Sequence, residues 1–188
     1  MARLVFDYDP PDRFVAGAVG QPGARTFFLQ ARSGNRLTSV VLEKAQVAAL
    51  AERVEELLDE VLRRSGGTAA VPALTPGRAT DDDPLDTPLT EDFRVGTMSL
   101  AWDPDAERVL IECYAEGMDI PLEPLQPPAD NEEDDGQILR VSITGTTARA
   151  FAQRATAVVA AGRPPCPFCG NPLDPDGHLC PRANGHRR

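Results

Sequence analysis

The chain has 188 residues, of which 41% are hydrophobic and 26% charged, and its formal net charge is −10. This length allows one sizeable hydrophobic core, or one domain with a small appendage. The negative charge repels nucleic acid and anionic membranes, so neither is the expected partner. The composition is therefore typical of a soluble globular protein, and DNA binding is not the default expectation.

The first half of the chain predicts three strands followed by a helix. Residues 14–20, 25–32 and 36–42 are rich in Val, Phe, Leu and Thr, and turn sequences containing glycine separate them. From 43 to 64 the apolar residues recur with helical spacing, and charged side chains fill the opposite face. This pattern indicates an amphipathic helix whose charged face is solvated.

A stretch rich in proline and aspartate, residues 65–92, follows with little periodicity, and we interpret it as a flexible linker. Its run Asp81-Asp82-Asp83 lacks the alternating ligands of a calcium loop, so we expect it to stay solvated. A second acidic loop, residues 117–136, has the same character.

The second half repeats the order of the first. Strand-like runs lie at 93–102, 107–115 and 137–143, and a second amphipathic helix follows, with Thr146 or Thr147 as its N-cap. Phe-Val-Ala-Gly-Ala-Val in the first half matches Phe-Arg-Val-Gly-Thr-Met in the second, each with glycine at its fourth position. This similarity predicts an internal duplication, and chance resemblance between two meanders is the alternative.

Two such units, about 1–64 and 93–162, can share one sheet and bury both helices on it, whereas each alone is marginal. We therefore predict a single α+β domain over residues 1–162. It contains an antiparallel sheet from two β-β-β-α pseudo-repeats, with two amphipathic helices. Residues 163–188 form a separate tail.

That tail gathers three of the four cysteines and both histidines. Cys166-Pro-Phe-Cys169-Gly has the pattern of a zinc knuckle, in which a tight turn directs two thiolates at one ion. Zinc takes four ligands, and the remaining donors of the tail are His178, Cys180 and His186. The tail has few apolar side chains, so a metal must supply its folding free energy. The sequence therefore predicts one structural Zn²⁺.

Either histidine could complete the site. His178 is favoured because it lies two residues before Cys180 and leaves little chain to order, and His186 is the alternative. The alternatives to zinc are a redox pair and a disordered tail, but redox CxxC motifs usually lie where a strand meets a helix. Catalytic zinc is disfavoured because three cysteines and one histidine leave no open position.

Three stretches carry a resemblance to a known family: FDYDPPDRFVAG, LEKAQVAALAERV and CPFCGNPLDPDGHLCPRANG, of which the last is the most specific. The chain resembles an uncharacterised actinobacterial domain-of-unknown-function family. By position, the resemblance marks Cys166, Cys169, His178 and Cys180 and leaves His186 outside the motif. It implies a cytoplasmic actinobacterial protein and brings no activity.

Other features of the sequence also predict a cytoplasmic protein. The N-terminal residues lack the basic and apolar regions of a signal peptide, and no apolar run approaches the roughly 20 residues that span a bilayer. Three of the four cysteines are clustered, which is not the arrangement of a disulfide framework.

The sequence offers little sign of a catalytic site. Residues 1–162 contain no histidine, the commonest general base, and no Gly-rich phosphate loop. Asp7, Asp9 and Asp12 belong to a stretch of turn composition, and Cys113 lies in an apolar strand.

We therefore expect a non-enzymatic zinc-binding interaction module whose partner is an unidentified protein. The residues expected to contact that partner are the cations at the tip of the tail, Arg182, Arg187 and Arg188. One alternative is a zinc-ribbon protein that contacts nucleic acid, which the net charge opposes. The other is an enzyme with a cleft between the two halves, which the absence of histidine from residues 1–162 opposes.

Overall fold

The structure is a computed structural model that describes residues 3–74, 81–118, 136–162, 166–171 and 180–182. Among these residues, seven strands and two helices follow one another: β1 (Leu4–Tyr8), β2 (Arg13–Val19), β3 (Thr26–Ser33), β4 (Arg36–Leu42), α1 (Lys44–Arg64), β5 (Phe93–Asp103), β6 (Arg108–Ala115), β7 (Gln137–Thr144) and α2 (Gly145–Ala160). The α+β class is confirmed, and each predicted strand lies within one residue of its predicted bounds.

The strands form one sheet in the order β1-β7-β6-β5-β4-β3-β2. β2, β3 and β4 make one antiparallel meander, and β5, β6 and β7 make another. Two joins are parallel, β4 with β5 and β1 with β7. The sheet is therefore mixed, and the prediction of a purely antiparallel sheet is wrong at these joins. The first of them follows from connectivity, because α1 and the chain after it return from the end of β4 to the start of β5.

Strand β1 was not predicted. It is five residues long and pairs with β7, from Leu4 opposite Gln137 to Tyr8 opposite Val141. A segment this short shows no clear periodicity, and its partner lies in the other half of the chain. The order β-β-β-α occurs in each half as expected, and β1 lies outside that pattern.

The hydrophobic core joins both helices to one face of the sheet. In α1 the buried residues recur with the predicted helical spacing: Val47, Leu50, Ala51, Val54 and Leu58. In α2, Phe151 stacks on Phe14 of β2 with ring centroids 4.6 Å apart. Because strand side chains alternate, Phe14 and Ala16 of β2 face the helices, whereas Arg13 and Gly17 belong to the other face.

The sheet must curl. Its two edge strands, β1 and β2, are consecutive in the chain and only four residues separate them. A flat seven-stranded sheet is about 29 Å wide, whereas that link spans at most about 17 Å. Contacts across the core face agree: Phe6 of β1 stacks on Phe93 of β5, and the Tyr8 hydroxyl lies 2.7 Å from the Thr38 hydroxyl of β4.

Helix α2 begins earlier than predicted. Its N-cap is Thr144, whose hydroxyl oxygen accepts a hydrogen bond from the Thr147 N–H at 3.2 Å. The predicted caps, Thr146 and Thr147, instead lie in the first turn. Since Thr144 is also the last residue of β7, the strand passes directly into the helix.

The acidic run after α1 is not simply solvated. The Asp81 carboxylate accepts hydrogen bonds from Arg13 of β2 at 2.6 and 2.9 Å, and from Arg154 of α2 at 3.1 Å. The prediction of a solvated run is therefore wrong for Asp81, although Asp82 and Asp83 are exposed. Parts of both predicted acidic loops lie outside the described residues, at 75–80 and 119–135.

Candidate metal centre

Three cysteine thiols of the tail lie together. The Sγ atoms of Cys166, Cys169 and Cys180 are all within 4.8 Å of one another, and those of Cys166 and Cys180 are 3.9 Å apart. Cys166 and Cys180 are 3% and 0% exposed, and Cys169 is half-buried. All three are free thiols. The arrangement brings together the two cysteines of the predicted knuckle and Cys180, which lies eleven positions after Cys169.

The separation of the sulfur atoms fits a tetrahedral metal ion. Two thiolates at about 2.3 Å from zinc, on two corners of a tetrahedron, lie about 3.8 Å apart. The observed 3.9 Å between Cys166 and Cys180 is close to that value, whereas a disulfide requires about 2.05 Å. Three sulfur donors suit Zn²⁺ and other thiophilic ions, so the cluster is compatible with a metal.

A tight turn positions the first two thiols. The Gly170 N–H donates to the Cys166 carbonyl at 2.8 Å, and the Cys166 N–H donates to the Asn171 carbonyl at 2.7 Å. Gly170 has φ +77°, the left-handed region that a side chain disfavours. The sequence Cys-Pro-Phe-Cys-Gly-Asn therefore closes on itself through its own backbone and needs little apolar packing.

The two thiols of the knuckle, Cys166 and Cys169, have pKa values shifted in opposite directions. Burial opposes ionisation of Cys166, but hydrogen bonds from the N–H groups of Cys169 and Phe168, together with those from the Cys169 and Cys180 thiols, hold the pKa of Cys166 below its ordinary value. The Asn171 N–H favours the Cys169 thiolate, but burial and the two neighbouring thiols together raise the pKa of Cys169. Three adjacent thiolates repel one another, so their joint ionisation requires a cation among them.

Other predicted residues of the tail lie outside the described residues: His178, His186, Arg187 and Arg188. Arg182 is described and exposed, and its Nη1 donates to the Phe168 carbonyl at 3.3 Å. That contact ties the segment around Cys180 to the knuckle turn. Phe168 is 45% exposed beside it.

The remaining cysteine has a structural environment. Cys113 of β6 is fully buried, and burial, together with the Glu112 carboxylate, raises its pKa to about 12. A thiol so hard to ionise is a poor nucleophile and a poor metal ligand. Of the three predicted turn residues, Asp7 lies in β1, so the turn prediction is wrong for it, whereas Asp9 and Asp12 lie between β1 and β2. The Asp12 carboxylate accepts a hydrogen bond from the Gly34 N–H at 2.6 Å.

Sequence reasoning missed one buried polar cluster. Glu112 of β6 is 1% exposed and accepts hydrogen bonds from Arg140 at 2.7 Å, Tyr114 at 2.5 Å and Ser99 at 3.1 Å. Burial and then the Glu112 carboxylate raise the pKa of Tyr114 to about 12, so its hydroxyl remains a donor. The cluster joins β5, β6 and β7, and the Arg140 guanidinium balances the charge of the Glu112 carboxylate. Because its polar groups bind one another, we assign the cluster a structural role. A glutamate in an apolar strand was the sole signal in the sequence.

Fold and site together define a mixed α+β domain with a C-terminal cluster of thiols suited to a metal ion. Comparison with known families matches residues 6–180 to DUF3090, described as a protein of unknown function. The chain belongs to this family, which confirms the resemblance to a domain-of-unknown-function family. No curated protein and no solved structure matches it. Neither described helix has the length and apolar character needed to cross a membrane.

Proposed function

We propose that the protein is a non-enzymatic interaction module whose tail is folded by one structural Zn²⁺. The observation that carries this proposal is the cluster of three thiols within 4.8 Å of one another. A redox pair needs only two cysteines. The third thiol, Cys180, is fully buried beside the pair, and a tetrahedral ion explains its position.

The ligand set that we propose is Cys166, Cys169, Cys180 and His178. His178 lies two residues before Cys180, a distance of at most about 7 Å along the chain, so it starts within reach of the cluster. His186 lies six residues beyond Cys180 and would require the chain to return. A closed set of four protein ligands leaves no position for a substrate, which favours a structural role for the metal.

We further propose that residues 1–162 fold independently of the metal. Their core contains residues of every strand and both helices, and none of the tail cysteines belongs to it. The metal then supplies folding free energy to the tail alone.

We expect purified protein to contain about one equivalent of zinc per chain, measured by elemental analysis without added metal. His178→Ala should lower the zinc content strongly, because it removes one of four ligands, and His186→Ala should leave it unchanged. The second variant is the matched control. Retention in His178→Ala with loss in His186→Ala would make His186 the ligand, and a metal-free protein with an ordered tail would refute the zinc site.

The surface that we propose for the partner is the tip of the tail, with Arg182, Arg187 and Arg188. Arg182 is exposed and anchored to the knuckle turn through Phe168, so a metal would hold its guanidinium in a fixed place. Fixed guanidinium groups suit carboxylates on an acidic protein surface. Changing all three arginines to alanine should weaken the native complex, and raised salt should do the same, while zinc content stays constant.

A matched control exists on α1. Arg53, Arg63 and Arg64 have side chains 73 to 78% exposed, and their replacement by alanine makes the same change in charge. Co-purification from the native cell measures both variants. Undiminished capture of every partner by the tail variant would show that the tip is not a contact surface. Capture of nucleic acid in place of a protein would favour the alternative, for which Phe168 beside Arg182 offers a stacking surface.

The cavities between β2 and α2 support the non-enzymatic proposal. One is lined by Asp12, Arg13, Asp81 and Arg154 among others. Arg13 donates hydrogen bonds to the Asp81 carboxylate in this cavity and thereby lowers the pKa of Asp81. Burial opposes this effect, but the pKa stays below its ordinary value. A carboxylate stabilised in this way is a poor general base near neutral pH.

A further inference from the structure

Residues 81–89, which we call the acidic strap, cross the edge of the sheet at β2. The strap has no helix or strand, yet two arginines hold it. Arg13 donates to both Asp81 oxygens, to the Asp86 carboxylate at 3.0 Å, and to the carbonyls of Asp83 and Pro84 at 2.9 and 3.0 Å. A guanidinium with all these acceptors recognises both the side chains and the backbone of an extended segment.

Arg154 holds the strap from the other side. It reaches from α2, where its Nη1 donates to the Asp81 carboxylate and its Nη2 to the Asp83 carbonyl at 2.7 Å. Its Nε donates to the Ala16 carbonyl at 2.8 Å, and β2 is an edge strand, so Arg154 also covers the open edge of the sheet. Arg13 and Arg154 therefore come from two rigid elements and converge on one carboxylate.

Two further contacts bind the strap through its backbone and through an apolar side chain. The Gln30 side chain accepts from the Asp86 N–H at 2.7 Å and donates to the Asp86 carbonyl at 3.0 Å, as a neighbouring strand would. Leu85 lies over Gly17, where an added Cβ would approach the leucine side chain to 2.6 Å. The surface thus binds a carboxylate through Arg13 and Arg154 and a peptide backbone through Gln30. It also leaves space for an apolar side chain over Gly17.

The strap itself is held mainly by charge and hydrogen bonds. Its residues are exposed or half-buried, whereas the side chains of Arg13 and Arg154 beneath it are 10% and 9% exposed. Cavities of about 380 and 300 Å³ flank the strap, between β2 and α2. The Asp81 and Asp86 side chains are 32% and 33% exposed, so a competing acidic ligand has access to the same arginines, and the cavities leave room for a ligand with larger side chains.

We propose that the strap occupies, within its own chain, a binding groove for an extended acidic peptide of a partner protein. The partner segment carries an acidic residue, a leucine-sized apolar residue four positions later, and a second acidic residue directly after that, as Asp81, Leu85 and Asp86 do. Arg13 and Arg154 bind the first acid, Gly17 admits the apolar side chain, and Gln30 pairs with the backbone at the second acid. This groove is independent of the zinc tail and of the arginines at its tip.

Fluorescence anisotropy with a labelled synthetic peptide of residues 81–90 and the full-length chain tests this proposal. The intact strap competes with the peptide, so Asp81→Asn/Asp86→Asn, which weakens the strap, should bind it about tenfold more tightly than the unaltered protein does. Adding Arg154→Gln to that variant should reverse the gain. A peptide with asparagine at the two acidic positions should bind weakly to all of these proteins.

Asp82→Asn is the matched control, because Asp82 is exposed and its carboxylate receives none of these hydrogen bonds. It should bind the peptide as the unaltered protein does. Hydrogen exchange of the unaltered protein gives a second readout that does not depend on any variant. The Asp86 N–H donates to the Gln30 side chain, so saturating peptide should displace the strap and accelerate exchange of this N–H. Equal affinity of the strap-weakened and unaltered proteins, or unchanged exchange at saturation, would overturn the proposal.

Discussion

Replacing both Cys166 and Cys169 with serine is expected to abolish zinc retention. The two residues supply half of the proposed ligands, and a serine hydroxyl does not ionise near neutral pH to replace a thiolate. Apparent binding free energies of structural zinc sites are about 10–16 kcal/mol, so loss of two ligands leaves an affinity too weak to survive purification. The tail should then lose the protection of its amides, while the melting temperature of residues 1–162 stays unchanged.

Elemental analysis and thermal unfolding measure both parts of this result. Cys113→Ser makes the same chemical change at a cysteine buried in the core, and it should retain one equivalent of zinc even if it lowers stability. A protein ending at Gly162 should unfold cooperatively, in chelator as well as without it. Full zinc content in the double variant would exclude the knuckle as the site, and loss of cooperative unfolding on truncation would make the tail part of the core.

Replacing Phe151 with alanine is expected to lower the free energy of unfolding by about 3–5 kcal/mol. Phe151 is 2% exposed and stacks on Phe14, which joins α2 to the edge strand β2. Its removal takes away buried apolar area and leaves a cavity that the helix and sheet cannot close completely. For a domain of this size such a change is a large fraction of the total stability.

Urea unfolding followed by circular dichroism gives the change in free energy. Leu74→Ala is a suitable control, since that leucine is 82% exposed and its loss should alter the free energy of unfolding by less than about 0.5 kcal/mol. Equal stability of the Phe151 variant and the unaltered protein would mean that α2 is not packed on β2 through this ring.

The local elements could be predicted from the sequence because their signals are local. The apolar stripe of α1 runs from Val47 to Val61, about four turns, and the strand runs are bounded by glycine and proline. The joins between strands could not be predicted, because register and neighbour depend on how distant segments bury their faces. The short β1, which pairs with β7 from the far end of the chain, is the clearest case.

The acidic strap shows a second limit of sequence reasoning. A run of aspartates is most often solvated, and no residue near Asp81 in the sequence indicates that arginines bind it. Its two arginines lie in β2 and α2, far from it in sequence and from each other. By contrast, the cysteines of the candidate site are close in sequence and share one chemistry, so their proximity could be predicted. The two histidines lie outside the described residues, and the fourth ligand stays a prediction.

The pairing of β1 with β7 also bears on the order in which the protein folds. Leu4 is synthesised before its partner Gln137, and most of the described chain lies between them. Closing so long a loop costs conformational entropy before any contact forms, so pairings of this kind slow folding. The meander of β2, β3 and β4 has short connections and can form early, whereas residues 116–136 separate β6 from β7 in the second meander. During synthesis β1 therefore cannot pair with its partner strand until β7 has been made.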